Sequence, residues 1–148
     1  MKKMITTAAL LAASLGASFS ASAADTILKF PIAAALDAND AKARLGDNVK
    51  FFFAGQPTPA VASKITSDKT SQRTNGFGKG AEKACNWVFL SAMLALQKRA
   101  TEVGADAVVN IVSNFRDQEF SSPTEFECAD GAIMAGVAFK ADFVKLAK

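Results

Sequence analysis

Short stretches of alternating apolar and polar residues flank one long, almost continuously apolar segment in the middle of this chain. Thr26 to Phe30 alternates and is rich in β-formers, which predicts a strand ended by Pro31. Asp37 stands where a helix N-cap belongs, ahead of Ala38 to Leu45, with Gly46 as the stop. Val49 to Ala54 predicts a second strand. Successive side chains face opposite sides of a sheet, so its run Phe51-Phe52-Phe53 must send one ring to the far face. Either both faces of that strand are covered or an apolar patch is exposed. From Gln56 to Gly80 the composition turns to Pro, Ser, Thr, Lys and Gly, which predicts a long surface loop or hairpin with a weak strand at Val61 to Ile65.

Ala81 to Val103 predicts the main helix, with Lys98 and Arg99 suiting its C-terminal dipole and Gly104 its stop. Trp87, Val88, Phe89, Leu90, Met93, Leu94 and Leu96 make it apolar around most of its circumference, so it should be buried on more than one side. Asp106 to Arg116 reads as a strand with Val109, Ile111 and Phe115 on one face and Asn110 and Asn114 on the other. Thr124 to Cys128 is the next, with Phe126 and Cys128 inward and Glu125 and Glu127 outward. Asp130-Gly131 breaks the pattern, and Ile133, Ala135, Val137 and Phe139 carry it on to Lys140. The strands on either side of Asp117 to Pro123 are expected to pair as a hairpin. A long helix followed by antiparallel strands predicts an α+β two-layer sandwich: one buried helix on a mainly antiparallel sheet.

The N-terminus changes the picture from fold to compartment. Lys2 and Lys3 form a positive n-region, Ile5 to Phe19 an apolar h-region, and Ala21-Ser22-Ala23 the small-x-small pattern of a signal peptide cut between Ala23 and Ala24. The stretch is shorter than the roughly 20 apolar residues of a spanning helix, and no cysteine near the cut offers a lipid attachment point. Residues 1–23 are therefore expected to be a signal peptide and residues 24–148 a single α+β domain, exported to the periplasm without a membrane anchor. Lys2 and Lys3 account for most of the formal net charge of +3. The remaining cations are scattered among acids, without the basic stripe that nucleic-acid binding needs.

Two cysteines occur, Cys85 and Cys128. In an oxidising compartment they predict a disulfide; in the chain-entropy model, closing a loop of about 44 residues stabilises the fold by roughly 4 kcal/mol. Placed in the first helical turn and on an inward strand position, they would staple helix to sheet. A zinc site would need carboxylates for its other ligands, since the chain has no histidine. A redox pair normally sits in a Cys-x-x-Cys turn.

Candidate chemistry is sparse. Gly76-Phe77-Gly78-Lys79-Gly80 precedes a helix as a phosphate loop would, but Arg73 stands where the first Walker glycine belongs and Gly80 where Ser or Thr should hold magnesium. It reads as a turn. The absence of histidine excludes Ser-His-Asp and Cys-His catalysis. Glu125 and Glu127 share a strand face; as an acid/base pair, with Arg116 or Lys140 nearby, they would define a small hydrolase or lyase, although alternating charges usually mark a strand's wet side. Ser63 to Asn75 offers hydrogen-bonding groups. No cofactor and no metal ligand set is expected.

Thr74-Asn75-Gly76-Phe77-Gly78-Lys79, Ala84-Cys85-Asn86-Trp87, Gly104 to Ser113, Glu127-Cys128, Gly131 and Ala135-Gly136-Val137-Ala138 together resemble a family of small exported bacterial proteins carrying the name "excinuclease ATPase subunit". The resemblance covers nearly the whole exported part. The name implies a DNA-repair ATPase, for which these residues supply neither a Walker loop nor zinc-finger cysteines. The helix, Gly104 to Val109 and the hairpin after them are more loosely similar to the disulfide-bonded sensor lipoprotein domain of the Rcs envelope-stress pathway, which implies an α+β fold and action by protein contact. The expectation is a non-enzymatic envelope protein that binds a protein or small ligand. Arg73, Asn75, Lys79, Glu125 and Glu127 are its candidate surface residues, and the apolar helix or Phe-rich strand is a route to self-association.

Overall fold

The computed structural model describes residues 25–148; the expected signal peptide, and with it the cut between Ala23 and Ala24, lies outside the described residues. The order is β1 (Thr26–Pro31), α1 (Ile32–Asp37), α2 (Ala41–Leu45), β2 (Lys50–Phe53), β3 (Val61–Asn75), α3 (Ala81–Val103), β4 (Ala107–Phe115), β5 (Gln118–Phe120), β6 (Glu125–Asp130) and β7 (Met134–Leu146). The seven strands form one sheet. Long β7 is its spine, pairing antiparallel with β3 along one edge and with β6 and β4 in succession along the other. β1 pairs antiparallel with β6, and only β2 with β4 is parallel. The result is the expected sandwich, with α3 laid across the sheet.

Helix α3 is buried through Cys85, Val88, Phe89, Ala92, Met93 and Leu96, among others. Its apolar girth is used on two sides: β3 and β7 lie beneath it, while α1 and α2 pack beside it. Phe89 is the centre of an aromatic cluster with Phe53, Phe126 and Phe139, ring centroids 4.6 to 6.2 Å from its own. Gly104 ends the helix at φ 74°, the left-handed C′ position that glycine takes without strain. The Cα atoms of Cys85 and Cys128 stand 5.9 Å apart and the pair is disulfide-bonded.

Four expectations need correction. Asp37 ends a helix rather than starting one: the segment is two short helices, broken where Asn39 and Asp40 turn left-handed. The Gln56 to Gly80 region is not mainly loop, because Val61 to Asn75 is one strand paired with β7 throughout. Its Ser, Thr and Lys composition hides it, since an edge strand satisfies its backbone on one side and keeps polar side chains on both faces. β4 does not pair with β6 across residues 117–123; it turns tightly into β5 at Arg116-Asp117, and β6 goes to β1 and β7. Finally, the alternation in β4 slips by one. Asn110, at φ 52°, is the extra residue of a bulge, so Val108 and Ile111 join the α3-side core while Val109 joins the other face.

That bulge also decides the Phe-rich strand. Phe51 and Phe53 face α3, and Phe52 packs on the far face against a small cluster of Ala107, Val109 and Val144. Both faces of β2 are covered.

Candidate functional site

Among the described residues no helix lies on the second face of the sheet, and the chemistry of that face follows from strand parity. On β7 the residues facing away from α3 are Gly136, Ala138, Lys140 and Asp142; their β3 neighbours are Arg73, Ser71, Lys69 and Ser67. Small side chains on the central strand, with long ones on the flanking strand and turn, leave a trough. Two adjoining hollows of about 440 and 410 Å³ share Asp25, Arg73, Phe115 and Arg116. The first runs over Ser71, Asn114 and Ala138, the second over Ala129, Gly136 and the loop Gly131 to Met134.

The rim is ionic. Lys69 meets Asp117 at 2.7 Å, Lys140 meets Glu119 at 2.7 Å, and Arg116 reaches Asp25 at 3.4 Å. The hydrogen bond and charge of Lys69 hold the Asp117 carboxyl below its ordinary pKa, and Glu119 raises the Lys140 ammonium. Burial pushes Asp142 up, but hydrogen bonds from Ser67, Asn110 and Lys64 outweigh it and leave a net lowering. Arg73 has no ion-pair partner among the described residues and stands exposed over the trough.

Two details make the trough's edge costly to build. Arg116 and Asp117, the two central residues of the β4–β5 turn, both have positive φ, 52° and 59°. A two-residue hairpin of this hand favours Asn-Gly, so two ordinary side chains held there store strain. At the other end, a Cβ on Gly131 would lie 2.7 Å from Asp25 Oδ1 and 3.1 Å from the Met134 carbonyl oxygen that accepts the Gly131 N–H. A side chain there would have to push the Asp25 carboxylate aside and press on the Met134 carbonyl oxygen. Next to it the surface is apolar: Ile133 and Met134 are exposed, and Phe77, 74% exposed, follows Gly76, whose N–H donates to the Ile133 carbonyl.

The five residues singled out from sequence do not form one site. Arg73 lies on the trough. Asn75 shapes a turn, its Oδ1 accepting the Phe77 N–H at 2.9 Å. Lys79 lies on the helix side of the molecule, in a cleft before α3. Glu125 and Glu127 sit on β6 opposite Pro31 and Lys29, and neither lines the trough. Arg116 and Lys140 are engaged by Asp25 and Glu119 instead, so the paired-carboxylate arrangement is not assembled. Asp25, Lys69, Asn114 and Asp117 carried no recognisable signal, being isolated polar residues. Ser71 and Arg73 would have been legible as a pair on one face had β3 been read as a strand.

Among the described residues no cluster of His, Cys, Asp and Glu could hold a metal ion, and no helix is long and apolar enough to cross a membrane. Neither a family model, nor a curated protein, nor a solved structure matches the chain.

Proposed function

We propose that the exported chain works in the periplasm as a binding protein, and that the sheet face turned away from α3 docks an acidic segment of an envelope protein. The observation that carries this reading is the trough itself. A fold that needs only a hydrophobic sandwich keeps, on its open face, a floor of Gly136, Ala138 and Ser71 beneath Arg73 and Arg116. One wall of it is a strained turn. The Arg73 guanidinium, without an ion-pair partner among the described residues, suits a carboxylate, and Ile133 and Met134 at the end of the hollow offer the apolar contact that accompanies charge in a specific interface.

Export agrees with the disulfide, which joins the two cysteines of the chain. The residues that carry the expected resemblance to small exported proteins fall at the turn into α3, the disulfide, the helix stop at Gly104 and the Gly136-Ala138 floor, which supports this reading. An ATPase reading finds no support in the Gly76 to Gly80 turn, which lacks the Walker pattern.

Crosslinking in intact cells followed by capture of the tagged protein tests the proposal. A discrete envelope adduct with the native chain, abolished by Arg73→Glu with Arg116→Glu, is the expected result. An adduct unchanged by that charge reversal would overturn the assignment to this face.

A further inference from the structure

Strand β3 is an edge of the sheet: it pairs with β7 and, among the described residues, with no strand on its other side. Two contacts fix the direction of its backbone groups. The Gln72 carbonyl oxygen lies 3.6 Å from where a Cβ on Gly136 of β7 would stand, and the Gly76 N–H donates to the Ile133 carbonyl oxygen at 2.7 Å. Even-numbered residues here therefore bond towards β7. The register is regular from Thr66 to Asn75, so the N–H and C=O groups of Lys69, Ser71 and Arg73 point the other way, out of the sheet. Their side chains share the trough face, and all three residues are exposed. An edge of this kind is a template for one more strand.

Charge decides which strand fits. Arg73 has no ion-pair partner among the described residues, and Lys69 is engaged by Asp117 in an exposed pair that a second carboxylate can join. A second copy of this chain is a poor occupant: two β3 edges paired antiparallel about Ser71 would set Lys69 opposite Arg73 twice, and like charges directly opposite destabilise a ladder. We infer that the free edge of β3 takes an extended acidic segment of another protein as an added antiparallel strand, with carboxylates four residues apart opposite Lys69 and Arg73. This rests on the reading of the trough face as the dock for an acidic segment, and it names how that segment is held. Main-chain hydrogen bonds to Lys69, Ser71 and Arg73 supply affinity, and the two carboxylates set the register.

The probe is the acetylated, amidated peptide Thr-Glu-Thr-Ser-Thr-Glu-Thr, whose Glu and Ser N–H groups would face β3 while its Thr N–H groups face solvent. Added to the folded chain and followed by amide NMR, it should slow hydrogen exchange at Lys69, Ser71 and Arg73. Thr70 and Gln72, already bonded to β7, should exchange as before. N-methylation of the two Glu and the Ser should weaken binding at least about tenfold, through the loss of three hydrogen bonds; N-methylation of the two inner Thr should not. Arg73→Glu should abolish binding. Equal affinity of the two methylated peptides, or binding without protection of the three amides, would overturn strand addition and leave the docking face standing if Arg73→Glu still abolishes binding. No binding of the unmethylated peptide at millimolar concentration, or binding indifferent to Arg73→Glu, would overturn strand addition and the acidic-segment reading together.

Discussion

Cys85, one turn into α3, is bonded to Cys128, an inward residue of β6, across a sequence separation of 43. Both residues are fully buried beside the Phe89–Phe126 contact, whose ring centroids are 4.6 Å apart. The bridge thus ties the start of the one long helix to the sheet at the aromatic centre of the core. Replacing both cysteines by alanine should lower the unfolding free energy by about 2–4 kcal/mol, read as a fall in the urea midpoint of the oxidised protein. Reductant should shift the native protein by a similar amount and leave the double variant where it is.

The turn at Arg116-Asp117 separates stability from binding. Left-handed backbone costs an ordinary residue roughly 1–2 kcal/mol, and the exposed ion pairs of these two side chains return little. Arg116→Asn with Asp117→Gly should therefore raise stability by about 1 kcal/mol in urea titration, while the in-cell adduct is lost. A variant that is both more stable and still fully crosslinked would show that the native turn does not serve the trough.

Gly131 and Gly136 should respond differently to alanine. A Cβ at Gly131 would displace the Asp25 carboxylate, 2.7 Å away, and press on the Met134 carbonyl oxygen at 3.1 Å, whereas at Gly136 its nearest neighbours are the Gln72 carbonyl oxygen at 3.6 Å and Arg73 Cγ at 3.7 Å, ordinary contacts. Gly131→Ala should cost about 1 kcal/mol or more, and Gly136→Ala should be close to neutral. Thermal melts of the two variants check this directly.

Stability should be flat across neutral pH and fall in acid. Asp117 and Asp142 have carboxyl pKa values lowered by folding. Their contribution is fully present above the unfolded value of about 4 and is lost as pH falls through the lower folded values. Lys140 is raised, so its contribution holds below the unfolded value of about 10.4 and is lost as pH rises through the higher folded value. Asp142→Asn should reduce the slope of the urea midpoint on the acid side and have a smaller effect on the alkaline side, where Glu119 dominates the raised Lys140 and the Asp142 charge adds to it.

Much of this architecture was readable from periodicity. α3 begins and ends where Ala81, Val103 and Gly104 place it, because an uninterrupted apolar segment with a glycine stop leaves little choice. The disulfide followed from having two cysteines and an N-terminus that reads as an expected leader for export. What escaped was set by tertiary context. Asn110 interrupts β4 with a bulge that no alternation reveals. β3 was masked because Thr66, Asp68, Thr70, Gln72 and Thr74 look toward α3 yet stay polar at the sheet edge. The trough escaped with it, since its floor and rim come from β3, β4 and β7, three strands brought together only by folding.

The most direct test of the binding face is to place a photo-crosslinking residue at Ser71, on the trough floor, and at exposed Lys98 on α3, and to irradiate intact cells. A discrete adduct with an envelope protein from position 71, absent from position 98 and suppressed by Arg73→Glu, is the result this account predicts. Adducts from position 98 alone, or none from position 71, would contradict it.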